Sequence, residues 1–190
     1  VEQRLSVSCV RQGTRFSDKY VQALLHLDPV TLTDVDTPGR TRALRNNYAG
    51  WTAKMELFAP WNEDLRPCFY LDLDTIVLDN IDDILHTEVN ELWLIRDLYN
   101  SEKSNSGLML IPKDTTEIWD VFQNHTMRPG RKFLDGHFLS AFPHKIIQDE
   151  FDGIVSYKAD NLEDGPKGRI CCFHGYPKQE DLNNWAGFND

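Results

Sequence analysis

The chain has 190 residues and a formal net charge of −10, with 20 Lys and Arg against 30 Asp and Glu. At 41% apolar and 26% charged residues it falls among globular proteins and outside the disordered and membrane-spanning classes, and this length predicts one domain over residues 1–190 with a core that needs neither disulfides nor metals. The acidic balance and the lack of any Lys/Arg block exclude a nucleic-acid footprint, which needs clustered cations to replace phosphate counterions.

Cys9, Cys68 and the adjacent Cys171 and Cys172 have neither zinc-site nor CxxC spacing. They read as reduced, buried thiols, and a cytoplasmic location is expected. Neither a signal peptide nor an apolar run of spanning length is visible.

LSVSCV, residues 5–10, predicts a short strand, broken by the glycine loop RQGTRFSD. Ser17 or Asp18 then caps a helix over DKYVQALLHL, whose apolar residues recur at helical spacing. DPVTLTDV predicts a second strand and TDVDTPGRTR a loop, while AGWTAKMELFAPW has helical spacing and stops at Pro60. RPCFYLDLD, apolar on both faces, predicts the most buried strand. TIVLDNIDDIL reads as a short extended piece followed by one or two helical turns, with Asp79 or Asn80 as cap. ELWLIRD and SGLMLIP predict strands on either side of the polar loop LYNSEKSN. DTTEIWDVFQNH is an amphipathic helix capped by Asp114, and the basic loop MRPGRK leads to a short helix in LDGHFLSAF. KIIQDEF, IVSYK and RICCFHG are late short strands. Strands alternating with helices predict an α/β layered domain with a mostly parallel central sheet, in which ligands bind beyond the carboxyl ends of the strands.

Asp72 and Asp74 stand at such an end. Alternate residues of an extended chain point to one side, so the two carboxylates repel unless a positive group joins them. A hard divalent cation shared with substrate phosphates suits such a pair, either magnesium or manganese. His174, after the apolar RICCF, would add an imidazole and tilt the choice toward manganese. The bland alternatives are a solvated strand end for the acids and a packed or surface residue for the histidine. Lys178 either meets a phosphate or solvates a surface. Asn105, Ser106 and Gly107 open a strand by a close backbone approach or by a simple turn, and Asp135 begins a helix as an N-cap or as a functional carboxylate.

The order DLDTIVLDNIDDIL, NSGLMLI, DGHFLSA, FHGYPK resembles the GT-A glycosyltransferases, closest to family 8 and related bacterial or viral sugar transferases. GTRFSDKYV and WTAKMELF also look like pieces of that fold, so the resemblance covers nearly the whole chain. It implies a single GT-A domain that moves a hexose from a nucleotide-diphosphate sugar, with UDP the common nucleotide, to a hydroxyl of a glycan or glycoconjugate acceptor. By the same resemblance Asp72 and Asp74 match the DxD that holds Mn2+ or Mg2+ against the donor diphosphate, with Asp74 in direct bidentate contact. His174 and Gly175 match the closing HxG motif, the histidine completing the metal site and the glycine lying by the donor. Lys178 matches the lysine that meets the diphosphate. Lys54 stands where the family has a basic residue near donor phosphate and sugar, Asn105 matches the asparagine near the donor sugar, and Asp135 opens the motif that contacts that sugar. Asp135 and Asp97 are the carboxylates for a base or sugar-positioning role. The family's glutamine after that aspartate is replaced by Gly136, followed by His137, which leaves stereochemistry and sugar preference open while the resemblance favours retention. Little sequence follows HGYPK, so the acceptor side is expected to be open or completed by a partner protein.

Two rivals remain at this stage. A haloacid-dehalogenase-type phosphatase also carries DxD after an apolar strand, but has Thr or Val where Ile76 stands, and has its motif near the N-terminus. A nucleotide-sugar binding module or subunit without turnover would share the same site residues.

Overall fold

The structure, a computed structural model, describes residues 4–46, 48–125, 134–160, 162 and 168–181. The basic loop MRPGRK lies outside them. The strands are β1 (Ser6–Arg11), β2 (Val30–Thr33), β3 (Arg40–Ala43), β4 (Cys68–Leu71), β5 (Thr75–Val77), β6 (Leu92–Arg96), β7 (Ser104–Ile111), β8 (His144–Ile146), β9 (Ile154–Ser156) and β10 (Ile170–Cys172). The α-helices are α1 (Asp18–Gln22), α2 (Asp82–Leu85), α3 (Thr116–Gln123) and α4 (Asp135–Leu139).

Seven strands form the central sheet in the order β3-β2-β1-β4-β7-β6-β8. Neighbours pair in parallel except at β7, which runs antiparallel to both β4 and β6. This exception shapes the site. Because β7 is reversed, its first residues lie at the same edge as the last residues of β4 and β6, and Asp72 N donates to Gly107 O at 2.8 Å. The β6–β7 register also shifts between Leu94 and Ile95, an irregularity of the kind found where a sheet borders a functional edge.

β4 carries the alternation that sets the layers. Phe69 and Leu71 face one apolar cluster with Val7, Cys9, Ile95 and residues of α1, while Cys68 and Tyr70 face another with Leu32, Leu94, Met55 and Trp119 of α3. Burial on both faces is what an inner strand of such a sheet requires. All four cysteines are free and buried, and burial pushes the Cys68 and Cys171 thiols up to about 12, so they stay protonated.

Five elements differ from the sequence reading: the helix over DKYVQALLHL ends at Gln22 with a 3₁₀ turn following at Leu25–Leu27, the strand over KIIQDEF ends at Ile146 before a 3₁₀ turn (Ile147–Asp149), and three more change character. The loop predicted over TDVDTPGRTR contains β3, whose RTRA is exposed or half-buried and therefore has no apolar signal to read. The segment 50–58 forms 3₁₀ turns (Gly50–Phe58), and helical turns resume after Pro60 (Pro60–Leu65), consistent with proline being tolerated at a helix start. The late strands β9 and β10 do not join the central sheet: with β5 they form a separate sheet of order β5-β10-β9. Thr115, not Asp114, holds the cap position of α3, with Asp114 Oδ1 accepting from Thr116 N at 3.0 Å from one residue earlier, and Ile81 holds that of α2, with Asn80 Oδ1 accepting from Asp82 N at 2.6 Å. No described helix is long and apolar enough to cross a membrane.

Candidate active site

The small sheet brings the distant motif to the acids. β5 follows Asp74 directly and pairs antiparallel with β10, with Thr75 opposite Cys172, and the ladder is extended by Phe173 N donating to Asp74 O at 2.8 Å. His174 is thereby placed beside Asp74. Lys54 from the 3₁₀ turns, Asp72 and Asp74 after β4, Asp97 after β6, Asn105 on β7, Asp135 on α4, and His174, Gly175 and Lys178 after β10 all line one cleft of about 1040 Å³. Each metal, donor and carboxylate candidate from the sequence is in it.

Each carboxylate of the DxD meets a lysine. Asp72 Oδ1 accepts from Tyr70 OH and from Lys54 Nζ at 3.0 Å. The same ammonium lies 2.8 Å from Asp135 Oδ2 and donates to Ser106 O at 3.3 Å. Ser106 Oγ donates to Asp135 Oδ2 at 2.6 Å. Burial works against a charged Lys54, but Asp72 and Asp135 outweigh it and raise its pKa, so the ammonium is fixed as a cation. Asp72 is raised by burial, against the pull of Lys54 and with the charge of Asp74 adding to the rise. Lys54 is thus a strut between two carboxylates, with its bonding capacity already committed to protein groups.

Asp74 Oδ2 pairs with Lys178 Nζ, which also donates to Phe173 O at 3.1 Å. His174 Nε2 is buried without a hydrogen-bond partner. Burial lowers the pKa of this imidazole, with Asp74 and Asp72 opposing the drop, so the ring is kept neutral and its lone pair available as a ligand. An orphaned buried imidazole nitrogen beside two carboxylates is the donor set a divalent transition cation takes, and in this respect the residues present fit a metal. Among the described residues no three His, Cys, Asp or Glu side chains already gather closely enough to hold one, so ligation requires their side chains to reorient.

The other candidates divide between support and open contact. Asp97 Oδ1 accepts from Tyr99 N and Asn100 N, both at 2.9 Å, so this oxygen shapes the turn after β6, and Oδ2 accepts from Asn105 Nδ2 at 3.4 Å. Asn105 Oδ1 in turn accepts from Gly107 N at 2.7 Å. Asp135 is the first residue of α4, with Leu134 at the cap position, so its carboxylate serves the Lys54–Ser106 network rather than the helix end. A Cβ on Gly136 would lie 3.4 Å from Ser106 N and Oγ, so glycine lets α4 rest closely on the start of β7. Gly175 has φ +68° with open space around it, a turn that most side chains avoid.

A smaller pocket of about 100 Å³ adjoins the cleft, lined by Val10, Gln12, Phe16 and Gly50 and sharing Arg15, Trp51, Lys54, Asp72 and Asp74 with it. Gln12 braces it, its Oε1 accepting from Gly50 N at 2.6 Å. The sequence reading missed Tyr70, Ser106, Arg15 and Trp51. Tyr70 was within reach, since a residue two before Asp72 on a strand shares its side. Ser106 was singled out with Asn105 but not tied to Asp135, a contact made across 29 positions. Arg15 and Trp51 lie in GTRFSDKYV and WTAKMELF, fragments that resemble the fold without assigning either residue a role.

No family model matches the chain, and no curated protein matches it. Solved structures do. The glycosyltransferase GlyE of Streptococcus pneumoniae TIGR4 superposes with a TM-score of 0.65 at 14% identity, over 93% of this chain and 56% of that one. The bifunctional glycosyltransferase WbbM superposes at 0.64 and 12% identity, over 95% and 47%. LgtC, solved as an active-site mutant, gives 0.62 and 14%, over 96% and 92%. The chain spans about half the length of the GlyE and WbbM chains. Its fold is that of the GT-A-like glycosyltransferases.

Proposed function

We propose that the chain is a glycosyltransferase of the GT-A type that uses a nucleotide-diphosphate sugar, a UDP-sugar by its resemblance to family 8, and transfers a hexose to a hydroxyl of a glycan or glycoconjugate. The observation that carries the reading is the convergence in one cleft of all nine site residues expected from the sequence, including a buried His174 Nε2 with no partner. LgtC, one of the fold neighbours, has been captured with donor and acceptor sugar analogs.

Asp72, Asp74 and His174 would hold Mn2+, or Mg2+, and the bound cation would supply Lewis-acid stabilisation to the leaving diphosphate. This chain's own groups do the rest. Lys178 sits on Asp74 and adds positive charge where negative charge grows as the bond from anomeric carbon to phosphate breaks. Lys54 and Ser106 fix Asp135 in place, so little reorganisation of that carboxylate is needed during reaction. Asp135 is reserved for positioning the donor sugar. Asp97, which orients Asn105, is the carboxylate for the acceptor hydroxyl if inversion applies. Retention, favoured by the resemblance, would dispense with that base and use the leaving phosphate on the same face.

A nucleotide-sugar binding module without turnover is the second reading. Gly136 favours it, since it stands where the family that the chain resembles has a glutamine. A phosphatase reading finds no support, because Asp72 Oδ1 is engaged by Tyr70 and Lys54 and the fold neighbours are sugar transferases. A panel of nucleotide sugars with manganese tests all three. Slow hydrolysis of one UDP-sugar is expected. Tight UDP binding without turnover would leave the binding module, and release of inorganic phosphate from monoesters would overturn the transferase. Within the same reading, Lys178→Ala should weaken UDP by about 10-fold more than uridine in titration calorimetry, because a charge-assisted contact to phosphate is lost and the nucleoside is untouched. Equal losses would remove Lys178 from the diphosphate.

A further inference from the structure

We infer that Arg15 binds the donor diphosphate, a contact that no motif in the chain marks; the inference rests on the nucleotide-sugar reading above. Its basis is an accounting of positive charge. Arg15, Lys54, Arg96, Lys103 and Lys178 are the lysines and arginines lining the cleft. Lys54 is committed to Asp72 and Asp135, Lys178 to Asp74, and Arg96 to Asp149. Arg15 and Lys103 have no ion pair among the described residues. Lys103 lines only the large cleft, in the turn after β6. Arg15 lines both the large cleft and the smaller pocket, together with Asp72 and Asp74.

That junction is where a diphosphate has to pass. A nucleobase suits the smaller pocket, walled by Val10, Phe16 and Trp51, and since Arg15 lines it together with Asp72 and Asp74, a phosphate joining the base to the acid pair has the guanidinium on the same wall. The guanidinium is also pre-oriented. Its central carbon lies 5.5 Å from the centroid of the Phe16 ring, and Lys178 Nζ lies 5.7 Å from the same centroid, so two cations converge on one aromatic ring. Phe16 is itself fixed, edge-on to the buried Tyr20 at 4.9 Å, with its carbonyl accepting from Arg11 Nε at 3.1 Å. Gly13 N donates to Asp34 Oδ1 at 2.7 Å and anchors the other end of the loop. A guanidinium held this way presents a planar fork to phosphate without breaking an existing ion pair, which neither Lys54 nor Lys178 can do.

The experiment is titration of UDP and of uridine, in Mn2+, against wild type, Arg15→Gln and Arg15→Lys. Arg15→Gln is expected to lose about 10-fold or more in UDP affinity with uridine affinity changed by less than about twofold, and Arg15→Lys to recover part of the loss as a point charge. All three should melt together, since Arg15 is exposed. UDP preference undiminished in Arg15→Gln, or equal loss of UDP and uridine, overturns the inference and leaves the nucleotide-sugar reading standing. A wild type that binds UDP no better than uridine overturns both.

Discussion

Asp74→Asn is expected to abolish manganese-dependent binding of UDP while moving the metal-free melting temperature by about 5 °C or less. Removing a partner that merely orients a metal ligand already costs ~10–100-fold in metal affinity, so replacing a proposed direct carboxylate ligand by a neutral amide should cost more than ~100-fold. The small thermal effect comes from two opposing terms. Lys178 loses its ion pair with Asp74, whose side chain is 16% exposed, but keeps the Phe173 carbonyl and gains an amide oxygen in place of the carboxylate. At the same time the repulsion that helps raise the Asp72 pKa disappears. A net cost of ~1 kcal/mol in a domain of this size corresponds to about 2–4 °C. Titration calorimetry with UDP, with and without Mn2+, and a thermal melt in chelator separate the two quantities. Metal-dependent UDP binding that survives in Asp74→Asn would sink the assignment of this acid to the metal.

How much of this was readable in the sequence depends on the kind of signal. Apolar runs located β1, β2, β4, β6 and β7, because inner strands are buried on both faces and leave a continuous trace. β3 left none: it lies at the sheet edge, pairs only with β2, and consists of Arg40, Thr41, Arg42 and Ala43. The order of the DxD, NSG, DG and HxG motifs located the cleft, but the reason they meet is topological. It takes the reversal of β7 to bring Asn105 and Ser106 to Asp72, and the β5–β10 ladder to bring His174 to Asp74 across a hundred positions. Neither pairing has a local sequence signature. The partners of each site residue were the least legible part. Lys54 was recognisable as a basic residue preceding the DxD, whereas its commitment to Asp72, Asp135 and Ser106 depends on how the 3₁₀ turns pack against β4 and α4.

That commitment gives the second large effect, and it separates a strut from a donor contact. Lys54→Met should destabilise the chain by about 3–5 kcal/mol, the range found when one partner of a buried ion pair is removed, or roughly 6–20 °C of melting temperature. Lys54 is 6% exposed and Asp135 9%, so neither water nor another cation can readily replace the lost ammonium there. Asp72, with 34% of its side chain exposed and Tyr70 still bonded to it, should suffer less. Most of the cost therefore falls on Asp135. Replacing that carboxylate as well, in Lys54→Met with Asp135→Asn, should return part of the loss, giving a coupling of about 1–3 kcal/mol in a double-mutant cycle read by urea denaturation. A donor-contacting lysine would behave otherwise: Lys54→Met would weaken UDP while melting with wild type. That result, or strictly additive losses in the cycle, would show that the ammonium does not hold the two carboxylates together. A large loss of stability that Asp135→Asn partly repairs assigns Lys54 to the architecture of the site, where it draws Asp135 and Asp72 together before any ligand arrives.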